Sequence, residues 1–336
     1  MQTSVTACSS GGRLFPLSAL ILCLASMDAG CAPTPTTVGT PQGTETWQVG
    51  QVLAVSTGQP VPYDQWLKEL QNYDIVYLGE EHYNHHHIDA AMTVLSGLLT
   101  AGIRPAIGME MFGWDGQSAL DRYLSDASLG QSEFLEQAHW KANWGGAYEN
   151  YRPLVDFAKG RRLLVRALNP PKGLIRRVAK LGLSRAREGD DWKQWDMDRE
   201  DIVDDPAYRA RIFDQLRRCH GGGADEDFQT MYEASMVRDE GMAKTLIALL
   251  ETVRRESPGE RTTVVSYTGG GHIQYNLPVP ARVARRLSGH VRQVTVYLTA
   301  YDPSRTEEIR ELLQERIADY IWLTPPGGQG PVQRCR

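Results

Sequence analysis

Five short apolar runs punctuate this chain: residues 75–78, 106–109, 163–168, 263–267 and 291–298. The first four lack strict polar–apolar alternation, so they suit strands covered on both faces. Helical stretches separate several of them, for example residues 88–99. Alternating elements of this kind predict an α/β fold with a mainly parallel sheet and helical crossovers. Residues 47–55 do alternate, as a half-buried strand does, and Gly58-Gln59-Pro60 ends them. Residues 63–70 read as a short helix. Met242, Leu246, Leu249, Leu250 and Val253 have helical spacing and are most simply core.

Residues 172–257 break the rhythm, being long, charged and strand-poor. The stretch 176–187 is basic and 190–205 mostly acidic, and Trp192 and Trp195 are spaced to share a helix face. This segment reads as a helical insert, either a cap over the strand C-terminal edge or a solvated excursion. The α/β domain then spans 46–324, with a tail from Pro325 to the end.

A four-residue pattern occurs twice, each time after an apolar run. Gly79-Glu80-Glu81-His82 follows residues 75–78, and Gly269-Gly270-Gly271-His272 follows a second strand. A third strand runs directly into Glu110. The C-terminal ends of parallel strands share one edge, where open α/β folds place ligands. The expectation is therefore that Glu80, His82, Glu110 and His272 meet in one pocket. Two imidazoles and carboxylates can hold a divalent metal with an open position. Such a metal would activate water, with Glu80 or Glu81 as general base, giving a hydrolase. Protonation and hydrogen bonding would satisfy the same carboxylates without a metal.

Residues 74–84, Gly108 to Phe112, Tyr148 to Pro153, and Gly269 to Tyr275 with Pro278 to Arg282 resemble the signatures of the ChaN-like haem-binding uptake family, within the TraB/Tiki-like group. The order and spacing match from about residue 46 to 300. Glu81 stands where many relatives carry Asn. The resemblance implies haem as cofactor, held by a tyrosine, and a homodimer on haem binding. Tyr148 and Tyr151, close in sequence to Trp140 and Trp144, are the candidate ligands, and His87 is a candidate contact for a haem propionate. Arg238 and Asp239 match an Arg-Asp pair of relatives, and Arg238 would pair with the site's carboxylates or clamp an anionic group. His85, His86 and His87 cannot all face one ion, because successive helical residues splay by about 100°; Asn84 is their N-cap candidate. No Cys-x-x-Cys-His occurs, so covalent attachment of a c-type haem is not expected.

Residues 1–31 read as a secretory signal: Arg13, then an uncharged stretch, then small residues. Ala29-Gly30-Cys31 resembles a lipobox exit, although Asp28 is atypical, and makes Cys31 the expected lipidation site. Residues 32–45, rich in Pro, Thr and Gly, form a flexible linker. The expected location is the cell envelope, at the outer membrane in a Gram-negative host. A net charge of −5 makes a nucleic-acid partner unexpected. Cys219 and Cys335 are the cysteines left in the body, and their pairing stays open.

Overall fold

A computed structural model describes residues 47–126 and 128–327, so Cys31, Cys335 and the signal and linker segments lie outside the described residues. The strands β1 (Val52–Ala54) and β2 (Gln59–Val61) form a hairpin that leads into α1 (Tyr63–Leu70). Next come β3 (Ile75–Glu80), α2 (His85–Thr100) and β4 (Arg104–Gly113). Four helices, α3 (Gln117–Ser125), α4 (Gln131–Gln137), α5 (Trp140–Asn143) and α6 (Arg152–Arg161), connect β4 to β5 (Val165–Asn169). Then follow α7 (Lys172–Leu181), α8 (Leu183–Ala186), α9 (Asp190–Gln194), α10 (Pro206–His220) and α11 (Asp225–Glu256). The described chain closes with β6 (Thr262–Gly269), α12 (Val279–Arg286), β7 (Gln293–Ala300), α13 (Thr306–Gln314) and β8 (Tyr320–Thr324).

The sheet order is β2-β1-β8-β7-β3-β6-β4-β5. From β8 to β5 every pairing is parallel, whereas β1 pairs antiparallel with both β2 and β8. Both faces are covered, which is why the strands read as continuous apolar runs. Val76 and Leu78 pack beneath α1, α2 and α6, whereas Ile75 and Tyr77 pack beneath α11, α12 and α13. The chain leaves β3 for β4 and β5, then returns to insert β6 between β3 and β4. A strand order that reverses in this way opens a crevice at the carboxyl ends of the strands involved.

Three features depart from the sequence reading. The hairpin strand β2 contains Pro60, which argued against a strand there; it is tolerated because β2 is an edge, paired only with β1. Strand β8 was not anticipated, being a five-residue run with no alternation. The segment 172–257 is helical throughout its ordered elements, but α11 divides in two. Its first half carries Ala234 and Val237 in a cluster with α7 and α9, and its second half, from Met242 to Val253, lies on the sheet. Cys219 is disulfide-bonded. Among the described residues no helix is long and apolar enough to cross a membrane.

His87 is a staple rather than a ligand contact. Helix α2 starts at His85, with Asn84 as its cap accepting from the His86 N–H. This places His87 inside, fully buried. Its Nδ1 accepts the Glu81 N–H at 2.9 Å, and its Nε2 lies 2.9 Å from Thr324 Oγ1 at the end of β8. Burial pushes its pKa from 6.5 down to about 3, so the ring is neutral in the fold. Between about pH 3 and 6.5 the unfolded chain therefore binds a proton that the folded chain does not, and stability rises with pH across that window. Urea midpoints measured from pH 4 to 7 should show this rise in the wild type. His87→Gln should be less stable at pH 7 but show a flatter profile; an equally steep profile would place the pH dependence elsewhere.

Candidate functional site

The four expected residues stand at the strand ends as two pairs, Glu80 with His82 and Glu110 with His272, on opposite faces of the sheet; of the four, His82 and Glu110 line the cleft. On the α6 face, Glu80 ends β3. Its Oε1 accepts from His82 Nδ1 at 2.8 Å and from the Tyr151 hydroxyl at 3.0 Å, and its Oε2 accepts from the Tyr267 hydroxyl at 2.5 Å. Burial raises the pKa of Glu80, against the pull of His82 and the two phenols. Because Nδ1 of His82 is held by the carboxylate, Nε2 is the nitrogen left for chemistry. The His82 side chain keeps 39% of its surface open.

On the α11 face, His272 lies between two carboxylates. Its Nδ1 is 2.6 Å from Asp239 Oδ1 and its Nε2 is 3.2 Å from Glu110 Oε1. Burial acts to lower the pKa of His272, but Glu110 and Asp239 outweigh it and raise it to about 10. Burial likewise works against ionised Glu110, yet the His272 charge holds its carboxyl well below the usual range. The other oxygen of Glu110 accepts the Gly269 N–H at 2.6 Å, and the Tyr208 hydroxyl donates to Asp239 Oδ2 at 2.5 Å. Behind Tyr208, the Arg282 guanidinium sits 4.4 Å from the ring centroid.

The two halves meet through missing side chains. A Cβ on Gly269 would lie 2.7 Å from His82 Cε1, and one on Gly79 would lie 2.5 Å from Ile273 Cδ1. The glycines of the repeated motif thus admit each other's arm, a role beyond turning the chain.

Both ring nitrogens of His272 face carboxylate oxygens rather than open space. Among the described residues no group of three or more His, Cys, Asp or Glu side chains is arranged to hold a metal ion. The divalent metal that was one reading of the paired motif is thus not shown by this arrangement. Glu81 turns away from the pocket: it accepts from Thr299 Oγ1 at 2.7 Å and from the Ala300 N–H at 3.2 Å, and pairs with Arg305 at 3.4 Å. It is a tie between β3 and β7, not a general base.

Tyr148 and Tyr151 also lie elsewhere than expected. Both are buried, at 3% and 0% exposure, and burial raises both phenol pKa values far above normal. Tyr148 packs edge-on against Trp140 and Tyr151 edge-on against Trp144. The aromatic cluster that suggested a porphyrin surface is largely core, and neither phenol as it stands is open to an iron. The sequence reading passed over Tyr83. It is partly buried, has a left-handed backbone (φ 66°), and lines a cleft of about 220 Å³ with His82, Glu110, Asn143, Trp144, Asn169, Pro170, Lys172, Ile175 and Arg238. Left-handed backbone costs a non-glycine residue about 1–2 kcal/mol, and such outliers gather at functional sites. No sequence pattern announces it. Tyr267 could have been found: it pairs in register with Leu78, which shares a face with Glu80.

With this geometry in place, the comparisons decide the family. Residues 66–283, well over half of the chain, match the family model described as haem-binding uptake, Tiki superfamily, ChaN. The chain belongs to this family. The solved structure titled cofacial heme binding to ChaN of Campylobacter jejuni aligns with a TM-score of 0.60 at 15% identity, covering 81% of this chain and 95% of that one. That likeness supports the ChaN fold. Weaker likenesses, on which nothing here rests, include an erythromycin esterase EreC mutant in its open conformation (TM-score 0.41, 15% identity, 76% of this chain and 77% of that one) and the C-terminal region of Pasteurella multocida toxin (0.40, 12%, 73% and 25%). No curated protein sequence matches the chain.

The charge on His272 makes a testable demand on this ChaN-family fold. Below about pH 6.5 both folded and unfolded chains carry the proton, so its stabilisation is complete; it is lost as pH rises toward 10. Chemical denaturation from pH 6 to 10 should show the wild type losing stability across that window. His272→Gln should be weaker at neutral pH, by roughly 3 kcal/mol for a broken buried pair, and should lose less over the same range. Parallel profiles would show that His272 is not charged in the fold.

Proposed function

We propose that this protein is an exported, lipid-anchored haem carrier of the cell envelope that serves haem and iron acquisition. The match to the haem-binding uptake family over residues 66–283 carries this reading. The signal-like N-terminus and Cys31 supply the envelope location, at the outer membrane if the host is Gram-negative.

The site chemistry fits the cofactor. Imidazole and phenol are both known axial donors to haem iron, which supplies the redox and ligand-binding chemistry when bound. His82 offers an open Nε2. Tyr83 is the one tyrosine among the residues lining the cleft, and among the described residues its hydroxyl makes no hydrogen bond. Its ring lies 6.2 Å from that of His82 and 6.4 Å from that of Trp144. We assign Tyr83 as the iron ligand in place of Tyr148 and Tyr151. At about 220 Å³ the cleft falls below the roughly 300–1,000 Å³ of pockets that engulf a drug-sized ligand. A second copy of the chain would cover the rest of the macrocycle. This agrees with the cofacial binding named for the Campylobacter jejuni protein and favours a homodimer on loading.

Haem titration of the full chain should give a high-spin ferric spectrum and shift the protein toward dimer in sedimentation. Tyr83→Phe should change that spectrum and weaken binding by roughly tenfold or more. Tyr148→Phe should leave the spectrum unchanged. Added haem that stays spectrally free would end the carrier reading, and an unchanged spectrum in Tyr83→Phe would end the ligand assignment.

A second reading rests on one contact. A carboxylate holding Nδ1 of a histidine whose Nε2 faces a cleft is also the arrangement of a general base. Hydrolysis by this route would run without a metal: chelators would spare it and His82→Ala would abolish it.

A further inference from the structure

The cleft contains two cations that form no ion pair among the described residues. Arg238 stands on α11 one residue before Asp239, and Lys172 opens α7; both line the cleft and both are partly buried. Among the described residues neither side chain forms a hydrogen bond, ion pair or ring contact. Neighbouring cations behave otherwise. Arg282, Arg285 and Arg286 all pair with Glu240, Lys244 pairs with Glu200, and Arg305 pairs with Glu81 and Glu308. Arg238 does not take the site's carboxylates, which was one reading of its sequence position. Glu110 is occupied by His272 and the Gly269 N–H, and Asp239 by His272 and Tyr208.

Two further polar atoms in the lining are unfilled. The Trp144 indole N–H is buried without an acceptor. Asn169 donates through Nδ2 to the Glu110 carbonyl at 2.6 Å, yet its buried Oδ1 has no partner. A buried polar group left unpaired costs stability, so a set of this kind favours a polar ligand. Three of the four groups are donors, and two of them are cationic.

We infer that this part of the cleft binds an oxyanion, a carboxylate or phosphate group, between Arg238 and Lys172. Arg238 can grip two oxygens with its planar fork, and Lys172 acts as a point charge. The indole N–H of Trp144 is a third donor. The inference deepens the haem reading where the oxyanion is a haem propionate; it stands apart from that reading where the oxyanion belongs to a free small anion.

The test uses the full chain and three probes: haem, haem dimethyl ester, whose propionates are blocked, and inorganic phosphate. Arg238→Gln and Lys172→Gln are compared with wild type, with exposed Lys141→Gln as control. If the oxyanion is a propionate, each cleft substitution weakens haem binding by roughly tenfold, and the dimethyl ester binds wild type and variants alike. If it is a free anion, haem and its ester bind all proteins equally. Calorimetry then detects phosphate binding to wild type and its loss in both cleft variants. Haem that fails to bind the wild type, with phosphate binding intact and lost in the variants, would remove the carrier reading and keep the oxyanion site. A second measurement guards against misfolding. Phosphate against chloride at equal ionic strength should raise the wild-type Tm, and the rise should vanish in the variants. Haem and phosphate binding that survive both cleft substitutions unchanged would overturn the inference.

Discussion

The imidazolium of His272, fixed between carboxylates from β4 and α11, is the interaction on which the crevice depends. It ties together the strand carrying Glu110, the turn after β6 and the long helix carrying Asp239. Without the positive charge, two buried carboxylates would face one another across a neutral ring, and one would have to take a proton. With it, Glu110 stays ionised and its second oxygen can hold the Gly269 N–H, which fixes the glycine turn. The same arrangement makes α11 the wall of the cleft, because Asp239 sets the position of its neighbour Arg238.

On the opposite face a different solution serves a similar pair. Glu80 is held by two phenols, Tyr151 and Tyr267, as well as by His82. Neutral donors satisfy this carboxylate without consuming the imidazole, so His82 keeps a free nitrogen and an open surface. One histidine of the repeated motif is thus structural and the other is available for chemistry. The division follows from what each carboxylate has nearby.

Much of this was legible in the chain. Strand ends and glycines placed Glu80, His82, Glu110 and His272 on one edge, because parallel strands share an end and the motif follows the strand directly. Helix α1 was readable from its period, and β3 and β6 from their doubly buried character. What failed did so for physical reasons. Pro60 hid an edge strand, since the rule against proline applies to strands paired on both sides. Tyr148 and Tyr151 were attractive through their aromatic neighbours, but clustered rings are equally what a core contains. Charge alone could not show that Glu81 would turn toward Arg305, or that Arg238 would be left without a partner. These depend on which side of the rim a side chain emerges.

The two glycine arms carry a consequence for how the molecule forms. Ile273 occupies the space that a side chain on Gly79 would need, and His82 the space a side chain on Gly269 would need. Each arm is therefore half of the other's mould, across a separation of almost 200 residues. Neither can reach its final shape until β6 has been threaded between β3 and β4, a long-range pairing of the kind that closes slowly. The crevice should thus be among the last parts of the protein to order, and a chain caught before that step would have its sheet begun but no site.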